Sequence, residues 1–220
     1  YYITYILYNM YLEIFLILLL LVVVYFIFFY DERIDYLASD GNRYKIIDSN
    51  NEQLNKTKAD MLARLNKKAK QVVNNMYTNQ LPTKQIGDIT HRRFMHCIIG
   101  EIKESEGGGL TVGKGVKMGV CLVTKGKLND ENDAIFVILH ELAHVMSNSY
   151  GHGDEFKQNF DFIVKLAVKL ELWKPKNYHI EPVDYCGVTV TNSPCTGLNG
   201  QVCDKDNLDY YYKESLMAYK

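Results

Sequence analysis

The chain has no charge bias. Its 220 residues carry 25 Lys and Arg against 26 Asp and Glu, a net charge of -1, so no global basic excess points to nucleic acid. It has no disulfide framework either, since five cysteines are an odd number for a stapled scaffold. Cys97 and Cys121 sit in apolar runs and read as small core residues. Cys186, Cys195 and Cys203 include no CxxC pair, so together with His179 they make a poor structural zinc signature. A Cys186–Cys195 or Cys195–Cys203 bridge needs an oxidising space; the other reading is three free thiols in a loop-rich tail. Gly107, Gly108 and Gly109 are followed by no GK[ST] and open no helix, which excludes a phosphate loop and leaves a flexible turn.

The first 30 residues contain one charge, Glu13, and no Lys or Arg. Residues 14–30 (IFLILLLLVVVYFIFFY) form an uncharged run that as a helix spans ~25 Å, near the short limit for a bilayer. A signal peptide would need a basic n-region and a small-residue cleavage site, and neither is present. A buried core helix would need equally apolar partners. The expectation is a transmembrane anchor over residues 1–30 with lipid as a partner. Arg33, Arg43 and Lys45 follow the run, so the positive-inside rule places the remaining domain on the cytosolic side of a single-pass protein.

Residues 31–50 are polar, with turn residues, and read as a juxtamembrane linker. From 51 to 77, Leu54, Met61, Leu62, Leu65, Ala69, Val72, Val73 and Met76 recur at helical spacing. Lys56, Lys58, Arg64, Lys67, Lys68 and Lys70 cover much of the remainder. A solvated outer face is favoured over contact with lipid or nucleic acid, because no aromatics interleave with the cations. The sequon Asn55-Lys56-Thr57 would go unused on a cytosolic domain. Residues 93–104 and 115–124 read as two strands joined by a glycine-rich loop. Asn129-Asp130-Glu131 then offers an N-cap for a helix through DAIFVILHELAHVM, ending near residues 147–151. A second helix is expected from Asp154 to about Leu172, followed by a tail from 176 to 220 rich in Cys and Tyr.

His140-Glu141-Leu142-Ala143-His144 is an HExxH pattern. Positions i and i+4 lie within roughly 40° on one helical face, so both imidazoles can reach one tetrahedral ion. Glu141 can then reach an activated water without binding the metal, as a general base. A third protein ligand is required. His152, just past the turn at Gly151, is the best candidate. Asp154 and Glu155 are its rivals, although both suit the first turn of the next helix, and His179 is more distant. Tyr150, Tyr178 and Tyr185 are candidates for stabilising an oxyanion.

The segment HELAHVMSNSYGHGDEF resembles the active site of SprT-like and WLM metallopeptidases, which place a third His after HExxH and a Phe four residues beyond it. Here these are His152 and Phe156. The strand GKGVKMGVCLV resembles the WLM segment preceding the active-site helix. The likeness covers roughly residues 90–172. It implies an α+β zincin, with an active-site helix and a second helix on a short antiparallel sheet, the strand GKGVKMGVCLV being the edge strand along which substrate extends; the whole domain is expected over 51–175. It also implies one catalytic zinc ion. The expected activity is that of a membrane-anchored zinc metalloendopeptidase acting on proteins or peptides. A non-catalytic assembly protein and a protease for DNA-crosslinked proteins are the alternatives. The Lys-, Asn-, Ile- and Tyr-rich composition is compatible with a viral source.

Overall fold

A computed structural model describes residues 2–29, 33–196, 202–204 and 206–219, with side chains described throughout these except at 2–10, 25–29 and 98. The chain divides into two units, Tyr1–Arg33 and Ile34–Lys220.

The first unit is the helix α1, Tyr2–Phe29. Its side chains from Tyr11 to Val24 are all exposed. Among the described residues, no helix is long and apolar enough to cross a membrane. The transmembrane anchor over residues 1–30, the lipid partner and the single-pass placement are therefore corrected; residues 30–32 lie outside the described residues.

The second unit is α+β, with several small sheets and helices. It opens with a hairpin where the sequence reads as linker: β1, Arg33–Leu37, and β2, Arg43–Ile47. Alternation in β2 buries Tyr44 and Ile46 and leaves Arg43 outside. The amphipathic helix α2, Glu52–Thr78, starts at Asn51, whose side chain accepts from the Leu54 amide. Its apolar stripe, from Met61 through Leu65 and Val72 to Met76, is buried as the spacing predicts. Several of its cations are held internally. Arg64 and Lys68 both pair with Glu131, and Lys56 pairs with Asp60. Lys58 is buried against Glu101 at 3.0 Å and donates to the Ile47 carbonyl. These pairings account for much of the basic face without a nucleic acid or lipid.

After α3, Lys84–Phe94, comes a three-stranded sheet: β3, Ile98–Ile102, β4, Gly109–Val112, and β5, Lys117–Cys121. The order is β3-β5-β4. The expected antiparallel pair is corrected here, because β3 runs parallel to β5 and only β4 is antiparallel to it. The glycine-rich stretch supplies the missing strand. The edge strands are consequently β3 and β4, and β5, expected at the edge, is central. A small ladder, β6, Val123–Thr124, and β7, Lys127–Leu128, leads into α4, Glu131–Met146. Asp130 caps α4 by accepting from the amides of Asn132 and Asp133. Ile135, Ile138, Leu139, Leu142 and Val145 of α4 are fully buried, because α2, α3, α5, β4 and β5 all pack on it. Helix α5, Asp154–Lys169, turns Phe156, Ile163 and Ala167 inward.

The tail is structured too. Strands β8, Val183–Tyr185, and β9, Val188–Val190, form a hairpin, and α6, Leu208–Met217, packs on α5. Cys121 is bonded to Cys186, and Cys195 to Cys203. Cys121 is therefore a cross-link between β5 and the tail, not a lone core thiol. The bridges also leave no thiolates for a second zinc site at Cys186, Cys195 and Cys203. Such bonds belong to an oxidising environment, which a cytosolic placement would not supply.

Burial pushes the Glu101 carboxyl above its ordinary value despite Lys58 beside it. The pair is thus sustained by mutual compensation in a dry site. Replacing Lys58 with Met alone, which strands Glu101, is expected to destabilise the fold by about 3–5 kcal/mol, read from chemical denaturation. The double variant Lys58→Met, Glu101→Leu should recover most of that loss.

Candidate metal centre

Three imidazoles converge at the open side of α4. His140 and His144 are one turn apart on the helix, and His152 returns from the connection to α5. The Nε2 atom of His152 lies 3.0 Å from that of His140 and 3.2 Å from that of His144. Among the described residues, these three offer ligand atoms that all lie within 4.8 Å of one another. The spacing suits one tetrahedral ion. Metal–nitrogen bonds of about 2.0–2.1 Å imply an edge of about 3.3 Å between ligands. Neither Asp154 nor Glu155 belongs to the cluster. Cys186, which would have had to join His179 in a second site, is committed to its bridge.

The connection from α4 to α5 is what brings His152 back. Helix α4 ends at Ser147, where the last carbonyls lack helical partners. Arg93 of α3 donates to the carbonyls of Val145, at 2.8 Å, and Ser147, at 3.1 Å, and to the Asn148 side chain. Glu155 accepts the amides of Asn148 and Ser149, each at 2.8 Å, and these bonds hold its carboxyl below the ordinary range against the effect of burial. Lys114 donates to the Ser149 carbonyl. Gly151 takes a φ of 77°, a left-handed conformation that only glycine adopts cheaply. Residues 147–151 are therefore closed by charged groups from three elements, and His152 follows immediately.

Phe156 packs against all three imidazoles, with ring centroids 4.8 Å from His140, 4.3 Å from His144 and 4.7 Å from His152. Burial, followed by the neighbouring imidazoles, pushes His140 down to about 3. Burial, then the charges of His152 and Lys114, brings His144 to about 4. Both rings are thus kept neutral at ordinary pH, the form that binds metal.

Glu141 faces β4. Its Oε2 accepts the Thr111 hydroxyl at 2.6 Å. Burial pushes its carboxyl up to about 7, with the Thr111 hydrogen bond opposing. A Cβ on Gly109 would fall 2.5 Å from Glu141 Oε1 and 2.7 Å from Val137 Cγ1, so β4 can cross the helix this closely only at glycine. Thr111 was not singled out from the sequence, and Gly109 was read only as part of a flexible turn; the signal was the short alternation Gly-Leu-Thr-Val, hidden inside a run of glycines.

Two cavities flank the cluster and share Gly109, His140, Glu141 and His152. One, of about 490 Å³, is bounded by α4, Phe160 and the β8–β9 hairpin. The other, of about 280 Å³, is bounded by Leu110, Thr111, Lys114 and Tyr150. Of the three tyrosines considered, Tyr178 donates to Asp133 at 2.8 Å and Tyr185 to the Cys121 carbonyl at 2.6 Å. Both are buried and committed, whereas Tyr150 is 84% exposed beside the cluster, with Lys114 over its ring.

No family model matches the chain, and no solved structure matches it. An uncharacterized protein of Acanthamoeba polyphaga mimivirus is 37% identical over 82 residues, covering 36% of this chain and 42% of the relative. An uncharacterized protein of Invertebrate iridescent virus 6 is 38% identical over 91 residues, covering 37% of this chain and 51% of the relative. The chain thus spans about half the length of the curated relatives it matches. Both relatives are viral, in line with the viral source that the composition allowed. The SprT-like and WLM assignment is not sustained. With it falls the expected function of a membrane-anchored metalloendopeptidase, together with its assembly and DNA-crosslink alternatives. The three-histidine cluster by itself establishes a capacity to coordinate a metal.

Phe156→Ala opens a void under the three rings. We expect it to weaken binding of a divalent probe such as cobalt by about 10–100-fold, the range for losing a ligand's supporting contacts, measured by visible absorbance titration. Phe156→Leu should lose less.

Proposed function

We propose that the chain is a zinc-dependent peptide hydrolase, with one ion held by His140, His144 and His152 and with Glu141 as the general base. The observation that carries this reading is the juxtaposition of three imidazoles with a buried carboxyl on the residue that follows the first of them on the same helix. Three nitrogen ligands leave the fourth position of a tetrahedral ion open, the pattern of a catalytic site. When bound, zinc supplies Lewis acidity, which polarises a carbonyl and acidifies a water.

The chain's own groups do the rest. Glu141 borders both cavities, so its carboxylate is placed to accept a proton from the attacking water. That proton passes to the leaving nitrogen as the carbon–nitrogen bond breaks. A carboxyl raised toward neutrality suits both halves of the transfer. The Thr111 hydroxyl fixes one oxygen of Glu141 and leaves the other for the proton. Among the described residues β4 ends its sheet beside the cluster, with β5 on its inner side, so an extended peptide can add to its outer edge by main-chain hydrogen bonds.

Three variants test the reading. The purified chain should bind about one zinc, and His144→Ala should lose it. Glu141→Gln should keep the metal and lose cleavage of an unfolded protein substrate by about 10²–10⁴-fold; retained cleavage in that variant would sink the role given to Glu141. Gly109→Ala, which pushes on Glu141 and not on the imidazoles, should likewise keep the metal and lose activity.

A further inference from the structure

The larger of the two cavities has a composition of its own. Phe136, Val137, Phe160, Tyr185, Val188 and Val190 supply its apolar surface. Among the described residues no Lys, Arg or Asp lines it, and the ionisable groups there besides Tyr185 are His140, Glu141 and His152 at the cluster. Thr189, Thr191 and Asn192 stand on the β9 side. At about 490 Å³, it has room for a large side chain.

One wall is the β8–β9 hairpin, which is fastened at several points. Its turn has Cys186 at φ 51° and Gly187 at φ 76°, the two left-handed residues of a tight two-residue connection. Cys186 is bonded to Cys121 at the end of β5, and its amide donates to Thr124 Oγ1 at 3.0 Å. On β8, Tyr185 donates to the Cys121 carbonyl at 2.6 Å, and Asp184 pairs with Lys125 at 2.5 Å. A wall this firmly attached keeps its shape while the apolar cavity is filled.

We propose that this cavity is a substrate subsite that receives one bulky apolar side chain, preferably aromatic, next to the cleaved bond, and that the bridged hairpin sets its selectivity through Val188 and Val190. The inference rests on the peptide-hydrolase reading and adds the substrate class. An apolar side chain gains by leaving water for this lining, whereas a carboxylate would enter without a partner cation.

The test uses the zinc-loaded full chain and two series of peptide hydroxamates, with the varied side chain before or after the zinc-binding group. In one series, phenylalanine should bind about 10–100-fold more tightly than glycine, with aspartate weakest. Val188 is 52% exposed, so Val188→Glu should fold; it should reduce the phenylalanine preference at least about tenfold and raise that for lysine. Cys186→Ser, which unfastens the turn, should lower the phenylalanine preference and leave the glycine compound unaffected. Equal binding of phenylalanine and glycine in both series overturns the proposal, as does an unchanged preference in Val188→Glu. An unchanged preference in Cys186→Ser overturns the part given to the bridge. The two readings fail separately. Selective hydroxamate binding without cleavage of any protein defeats hydrolysis and keeps the subsite, and cleavage without side-chain preference defeats the subsite alone.

Discussion

The arrangement depends on how the end of α4 is closed. A buried helix that stops abruptly leaves carbonyls without partners, and a tight turn leaves amides in the same state. Arg93 takes the carbonyls, Glu155 takes the amides, and Lys114 takes one carbonyl more. These bonds come from α3, from the first turn of α5 and from the loop after β4. They fold the chain back sharply, and His152 is the residue that arrives opposite His140 and His144. Further side chains continue the same closure: buried Asn159 donates to Ser147 Oγ, and half-buried Tyr219 in turn donates to Asn159.

Around that turn, burial shifts neighbouring groups in opposite directions. Low dielectric keeps His140 and His144 neutral and raises Glu141. A site that suppresses charge on its bases is also one where an arriving cation finds lone pairs ready. The strand β4 completes it from above. Its glycine permits the close approach, and its threonine orients the carboxylate that the approach buries.

Much of the second unit was legible because its signals are local. The α2 stripe, the Asp130 cap, the His140–His144 spacing and the return at Gly151 each depend on a few adjacent residues. The mixed sheet was not legible. Strand β4 is short and lies in a glycine-rich run, and whether β3 and β5 run parallel depends on a pairing between residues far apart in sequence. The hairpin in residues 33–47 was hidden for a related reason: polar turn residues mark a linker and a hairpin equally well, and only contact with α2 and β3 separates the two.

The sequence by itself determined that two imidazoles and a carboxylate share one helix, because helical periodicity leaves them no other arrangement. It also placed a third histidine within reach of a turn. Only the tertiary structure decided that His152 meets the other two at hydrogen-bonding distance, that Cys121 reaches Cys186 across 65 positions, and that β4 lies over Glu141. The reason is that local geometry depends on backbone periods a few residues long, whereas convergence depends on which distant surfaces exclude water together.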